Sequence, residues 1–355
     1  MANRSSLRLM FAWSLSLTAA TGASAQQTDF FAGKTVDLYI GYEAGAGYDI
    51  YARLLGEHIG RFLPGHPTIV PRNMPGAASM RLMTYLQQVA KKDGTSWGAV
   101  DRNVAVEPLL YGENSNAPFK SPLDYPWIGS LTTEIGIAAV WHTTGITSWK
   151  DTLNRPTIVA MAGPQGGIGA RVLNSILGTQ FRQVCCYGSD ANQNLAMERG
   201  EVEGRVGASW STFKTGSGHW ISGGQVRLIM QVGLEKSPDI PSDIPLVMDL
   251  TQTEKDRDAL KIVFANQSLG RPFLLPPGTP PERVAEIRKA FMAMIKDPEF
   301  LADATKRKLE IESPKSGLEI EAILKEVYSA SPEAIALARR SIKEGEFKMK
   351  DETKK

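Results

Sequence analysis

Cysteine is nearly absent from this 355-residue chain: there are two, Cys185 and Cys186, side by side. Two cannot build a disulfide framework, so the fold must stand on ordinary apolar cores. Plain strand thiols are the default reading of the pair, with a vicinal disulfide the alternative in an oxidising compartment. Histidine is scarce too, at positions 58, 66, 142 and 219. None stands at a His-x-x-x-His or Cys-linked spacing, so no metal site is expected. His58 lies on an apolar helix stripe and reads as a packed residue. The chain contains no Gly-Lys-Ser or Gly-Lys-Thr, which removes a P-loop, and no Gly-x-Ser-x-Gly elbow. Gly45-Ala-Gly47 begins like a dinucleotide fingerprint, but Ile50 holds the place of its third glycine. Glu201 and Glu203 read as solvated strand and turn positions rather than an acid/base pair. No catalytic residue, cofactor or metal is therefore expected.

Long apolar runs and an excess charge are also missing. Arg4 and Arg8 precede a short apolar run from Leu9, and Ala23-Ser-Ala25 closes it. This is the order of a secretory signal peptide cleaved after Ala25, and its run falls well short of the ~20 residues of a membrane span. No Cys follows the small-residue site, so no lipid anchor is expected. Once Arg4 and Arg8 are lost from the 40 basic residues, the remainder balances the 38 acidic ones. A neutral surface carries no footprint for nucleic acid or an anionic membrane. The length suggests two domains of ~150 residues each.

What is present is punctuation by Gly and Pro between short apolar strands and amphipathic helices, the alternation of a mostly parallel sheet with helices on both faces. Val36 to Ile40 reads as a strand, Gly41 to Tyr48 as a turn and Asp49 as an N-cap. Tyr51, Leu54, Leu55, His58, Ile59 and Phe62 then mark one helix face. Thr68 to Val70, the turn Asn73 to Ala78, and a helix bearing Leu82, Met83, Leu86, Val89 and Ala90 on its buried stripe repeat the unit, and Thr95 to Val100 is the next strand. After Pro118 to Pro126, Ile135 to Trp141 enters a second lobe with strands at 157–161, 183–187, 202–206 and 226–232. The segment 251–258 reads as a return path and Pro272 to Pro281 as a rigid connector. Ser316 and Glu319 form a capping box. The expected division is a signal peptide at 1–25, a discontinuous first lobe at 26–134 and 250–342, a second lobe at 135–249, and a charged, solvated or disordered tail at 343–355.

Three glycine-rich turns follow a strand and precede a helix: Gly41 to Asp49, Pro75 to Ser79, and Gly163 to Ala170. Such turns leave the first helical N–H groups without partners at the positive end of the helix dipole, which suits an anion. Glycine also simply makes tight turns; three together favour a cleft, because ligands of open α/β sheets sit beyond the carboxyl ends of the strands.

Several fragments in order resemble the extracytoplasmic solute receptors of tripartite tricarboxylate transporters, the TctC or Bug family. They are Gly45-Ala-Gly-Tyr-Asp49-Ile-Tyr-Ala-Arg53, Asn73-Met-Pro-Gly-Ala77, Asp93-Gly-Thr95, Tyr187-Gly-Ser189, Arg199-Gly-Glu-Val202 and Pro276-Pro-Gly-Thr-Pro280. The resemblance spans nearly the whole mature chain. It implies a type II periplasmic binding fold, a Venus flytrap of two α/β lobes around a ligand cleft. It implies ligand contacts from Ala44, Gly45, Ala46, Gly47 and Asp49 in the first loop and Pro75, Gly76, Ala77 and Ala78 in the second. The second lobe would add Gly163, Gln165, Gly166 and Gly167, with Gly188, Ser189 and Asp190. The implied activity is capture of a small carboxylate, without catalysis, by a periplasmic monomer that delivers it to membrane permease subunits. The first loop departs from the family, with Ala46 in place of a second Gly and Gly41 at a Pro position. The turn from Gly163 to Gly169 has Gln165 as its one polar side chain, which leaves room for an aromatic or mono-acid solute. A receptor presenting its closed form to a sensor kinase, and an enzyme acting on a small acid, are the other readings.

Overall fold

The computed structural model describes residues 29–161 and 167–344. The expected signal peptide, nearly all of the charged tail, and Gly163, Gln165 and Gly166 lie outside the described residues. The chain opens with β1 (Thr35–Ile40), whose Val36, Leu38 and Ile40 enter one core cluster while Tyr39 packs against another. α1 (Gly47–Ile59) buries Ala52, Leu54, Leu55, His58 and Ile59, the face its spacing marks out. Its N-cap is Ala46 rather than the expected Asp49, which sits inside the first turn. β2 (Thr68–Asn73), α2 (Met80–Gln88), β3 (Ser96–Ala99), α3 (Glu107–Tyr111) and β4 (Trp127–Ser130) follow.

Beyond Ile135 come β5 (Gly136–Trp141), α4 (Asp151–Asn154), β6 (Thr157–Ala160), α5 (Ile168–Leu177), β7 (Phe181–Val184), α6 (Asp190–Glu198), β8 (Gly204–Ser209), α7 (Trp210–Ser222) and β9 (Val226–Val232). α8 (Glu254–Phe264) starts inside the expected return path, where Thr253 caps it by accepting the Asp256 N–H. The expected connector supplies a sheet strand, β10 (Pro272–Leu274). α9 (Pro281–Met294), α10 (Pro298–Lys306), β11 (Lys315–Ser316), α11 (Gly317–Tyr328) and α12 (Pro332–Glu344) complete the described chain. The Ser316–Glu319 capping box is formed.

These elements build two α/β lobes, each around a mixed sheet, and not the mostly parallel arrangement that the alternation suggests. The first sheet has the order β11-β4-β10-β3-β1-β2 and the second β7-β6-β8-β5-β9. Strands joined through a helix, β1 with β2 and β6 with β7 and β8, are parallel. β10 comes from the C-terminal part of the chain and pairs antiparallel with β3 and β4, and β11 with β4, as β5 does with β8 and β9. Both faces of each sheet are covered: on β5, Ile137 and Ala139 enter one cluster and Ala138 and Val140 the other.

The chain passes between the lobes where β4 leads to β5 and where α8 leads to β10, and the Glu134 N–H donates to the Gln267 carbonyl (2.8 Å) across these two segments. α8 and α12, inside the stretch assigned to the first lobe from sequence, pack in the same cluster as the second sheet. Among the described residues no helix is long and apolar enough to cross a membrane.

Candidate functional site

The carboxyl ends of β1, β2 and β3 place three loops side by side. In the first, Gly45 takes a left-handed φ of 85° that glycine tolerates. Its N–H donates to Asp49 Oδ2 (2.8 Å), and the Ala46 N–H to the Glu43 carbonyl (3.2 Å). The N–H groups of Gly47, Tyr48 and Asp49 have no acceptor among the described residues, as the first turn of a helix requires. Asp49 itself is buried, and its oxygens also accept from Arg53 Nε (2.9 Å) and Asn73 Nδ2 (2.7 Å). Burial pushes the pKa of Asp49 up, but the bonds from Arg53, the Gly45 N–H and Asn73 outweigh it and hold it below the ordinary carboxylate value. The structure thus turns this carboxylate inward, as a brace between the first and second loops. Asn73 completes the brace by donating to the Tyr42 carbonyl (2.9 Å).

In the second loop Gly76, Ala77, Ala78 and Ser79 all have positive φ, at 141°, 47°, 48° and 70°. Three non-glycine residues in a row there cost about 1–3 kcal/mol each and persist only where the surroundings enforce them. Ser79 does so. It is fully buried, its Oγ donates to the Gly41 carbonyl (3.3 Å), and it accepts the Asp101 N–H (3.0 Å) from the end of β3. The N–H groups of Ala77, Ala78 and Ser79 have no acceptor among the described residues. Tyr42 stacks on Tyr48 (4.4 Å) and donates its hydroxyl to Asp101, while the Tyr48 hydroxyl accepts the Arg102 N–H (3.2 Å). Burial, then the nearby Asp101 charge, raises Tyr48 to about 12, so it stays a neutral phenol at ordinary pH.

A cavity of about 680 Å³ opens against the second loop. Ala77, Ala78, Met80 and Arg102 line it from the first lobe; Ile168, Gly169 and Gly207 line it from the second; Phe264 and Asn266 close it where the chain crosses. Of the residues expected at a ligand, Ala77 and Ala78 thus meet the start of α5, next to Gly167, in one hollow. Ala44, Gly45, Ala46, Gly47, Asp49, Pro75 and Gly76 are not among the residues that line it, nor are Gly188, Ser189 and Asp190, which lie in the turn after β7 on the second lobe. There Ser189 caps α6 by accepting the Asn192 N–H (3.2 Å), and Asp190 pairs with Arg205. Arg205 is buried, and burial lowers it to about 10. Just before this turn Cys185 and Cys186 leave the expected strand, are exposed, and are joined to each other, in place of the two thiols taken as the default.

Arg102, Tyr48 and Ser79 escaped sequence reasoning. For Arg102 the available signal was its place two residues beyond the expected strand Thr95 to Val100, where ligands gather. His58 is packed, with its ring edge against Phe300 and Nε2 on Asp303 (2.9 Å). Glu57, His58 and Asp303 come close enough to share a cation, but both carboxylates are engaged by Arg307.

No family model matches the chain, and no curated protein does. Solved structures do share its fold. A ligand-free TctC solute-binding protein from Polaromonas is 15% identical with a TM-score of 0.69, the match covering 88% of this chain and 99% of that one. The periplasmic binding protein BugD is 19% identical with a TM-score of 0.52, covering 88% and 98%. MatC from Rhodopseudomonas palustris, solved with bound malate, is 16% identical with a TM-score of 0.52, covering 87% and 98%. The chain therefore has the type II periplasmic binding fold over nearly its whole described length.

Proposed function

We propose that this chain is a periplasmic solute-binding protein that captures a small carboxylate between its lobes and hands it to a tripartite tricarboxylate-type permease, without catalysis. The supporting observation is the second loop. Its left-handed backbone, enforced by buried Ser79, leaves successive N–H groups without partners at the wall of a hollow shared by both lobes. Donors fixed in place before the ligand arrives lose little entropy when they bind it, and an anion is the group they serve best. Contacts from the second lobe then select the closed state. The fold shared with MatC, whose bound malate is itself a carboxylate, supports the same reading.

Thermal unfolding with a panel of carboxylates tests it. A true ligand raises the midpoint with concentration, and at 100 times its Kd it stabilises by about 2.7 kcal/mol. Gly76→Leu is expected to abolish that shift. The new side chain meets Arg81 Cβ at 3.3 Å at a φ of 141° that other residues rarely adopt, so the loop must rearrange. A ligand shift of wild-type size in this variant excludes the second loop from the site.

A further inference from the structure

The charges around the cavity narrow the ligand further, on the reading that it is a carboxylate. Among the described lining residues two are ionisable at neutral pH, Arg102 and Glu107. They are not equivalent. Glu107 is already engaged: one oxygen accepts the Asn116 N–H (2.8 Å) and the other the Ser115 hydroxyl. The Arg102 guanidinium is half-buried and has neither a hydrogen bond nor a carboxylate partner among the described residues; its main-chain N–H alone is tied, to Tyr48. A guanidinium held partly out of water with no anion beside it is a site short of one negative charge. It stands on the same wall as Ala77 and Ala78, whose N–H groups are also without acceptors.

The rest of the described wall carries no further charge: Met80, Val104, Ile168 and Phe264 are apolar, and Asn103, Asn114, Asn116, Asn266 and Gln267 are polar but neutral. Among the described lining residues a second ligand carboxylate would meet no second cation, only neutral groups and the negative charge of Glu107. An anion held out of water with no cation beside it is disfavoured. We infer that the ligand is a monocarboxylate, and that Arg102 is the specificity-determining residue that holds its single charge.

Calorimetric titration with four defined acids tests this: hexanoate and adipate, which differ only by the terminal carboxylate, with phenylacetate and malate. The expected result is that hexanoate or phenylacetate binds at least about tenfold more tightly than either diacid, and that Arg102→Gln weakens it by about tenfold or more. Arg102→Lys, which keeps the charge but loses the fork, falls between the two. The unliganded Arg102→Gln protein should unfold at the wild-type midpoint, because the guanidinium bonds to none of the described residues. Adipate or malate binding more tightly than both monoacids, or Arg102→Gln binding as well as wild type, overturns the inference while leaving carboxylate capture standing. If none of the four acids binds, carboxylate capture itself fails and takes the inference with it.

Discussion

The two lobes hold their cleft-side loops by different means. In the first, β1 and β2 end in loops tied through buried polar groups: Asp49 joins the Gly45 N–H, Arg53 and Asn73, and Ser79 joins Gly41 to Asp101. In the second, the turn after β7 is exposed and hangs on the Ser189 cap, the Tyr187 N–H to the Met161 carbonyl (3.1 Å), and the pairing of half-exposed Asp190 with buried Arg205. A buried acceptor that serves three donors fixes geometry before any ligand is present, whereas a water-accessible ion pair fixes it weakly. On the proposed reading, the first lobe is the prearranged wall.

The sharpest way to break this contrast is Asp49→Ala. The substitution removes the shared acceptor of the Gly45 N–H and the Asn73 amide, which keeps its bond to the Tyr42 carbonyl, and should cost about 2 kcal/mol in urea unfolding. Arg53 contributes little to that figure, because its side chain is 39% exposed and water screens its pair with Asp49. The pKa of Asp49 is lower folded than unfolded, so its contribution is full above the unfolded value of about 3.9 and is lost as pH falls through the folded one. The stability gap between wild type and Asp49→Ala should therefore be constant near neutrality and close only below about pH 4.

A smaller effect is expected in the second lobe. Asp190→Ala leaves the Arg205 guanidinium, whose side chain is 5% exposed, with Asn194 Oδ1 at 2.7 Å. The cost should be about 1–2 kcal/mol, since Asp190 is 48% exposed and water can take its place in part. Adding Arg205→Met should recover most of it by removing the stranded charge. Equal losses for Asp49→Ala and Asp190→Ala would mean that both walls are braced alike.

Much of the first lobe's framework was legible because local chemistry agreed with the fold. The apolar stripe of α1 and the Ser316–Glu319 box are short-range signals, and each forms where it reads. The pairing of β10 between β3 and β4 was not, because it joins distant segments and Pro272-Phe-Leu274 resembles a linker as closely as a strand. α7 was hidden by Gly216 and Gly218: between them Ser217 leaves helical geometry and kinks the helix, and the packing of Trp210, Phe213 and Trp220 holds the two parts in place. At the site, glycine marked the loops correctly as turns, but the unusual backbone continues through Ala77, Ala78 and Ser79, residue types that give no such warning. Arg102 shows the remaining gap. Sequence can say that an arginine follows a strand, and only packing shows that no described carboxylate answers it.

The smallest effect should come from Cys185 and Cys186. A crosslink stabilises mainly by shrinking the unfolded ensemble, and the loop closed here spans a single peptide bond, so its contribution to global stability should be about 1 kcal/mol or less. Both residues are exposed and belong to neither core of the second lobe, so serine at both positions strands no buried partner. The double variant and the reduced wild type should therefore unfold within about 1 kcal/mol of the oxidised protein in urea. A larger loss, on the scale expected for Asp190→Ala, would show that the turn after β7 depends on its crosslink for its placement. The second wall would then be held covalently where the first is held by buried hydrogen bonds, and the contrast between the lobes would become one of means rather than of rigidity.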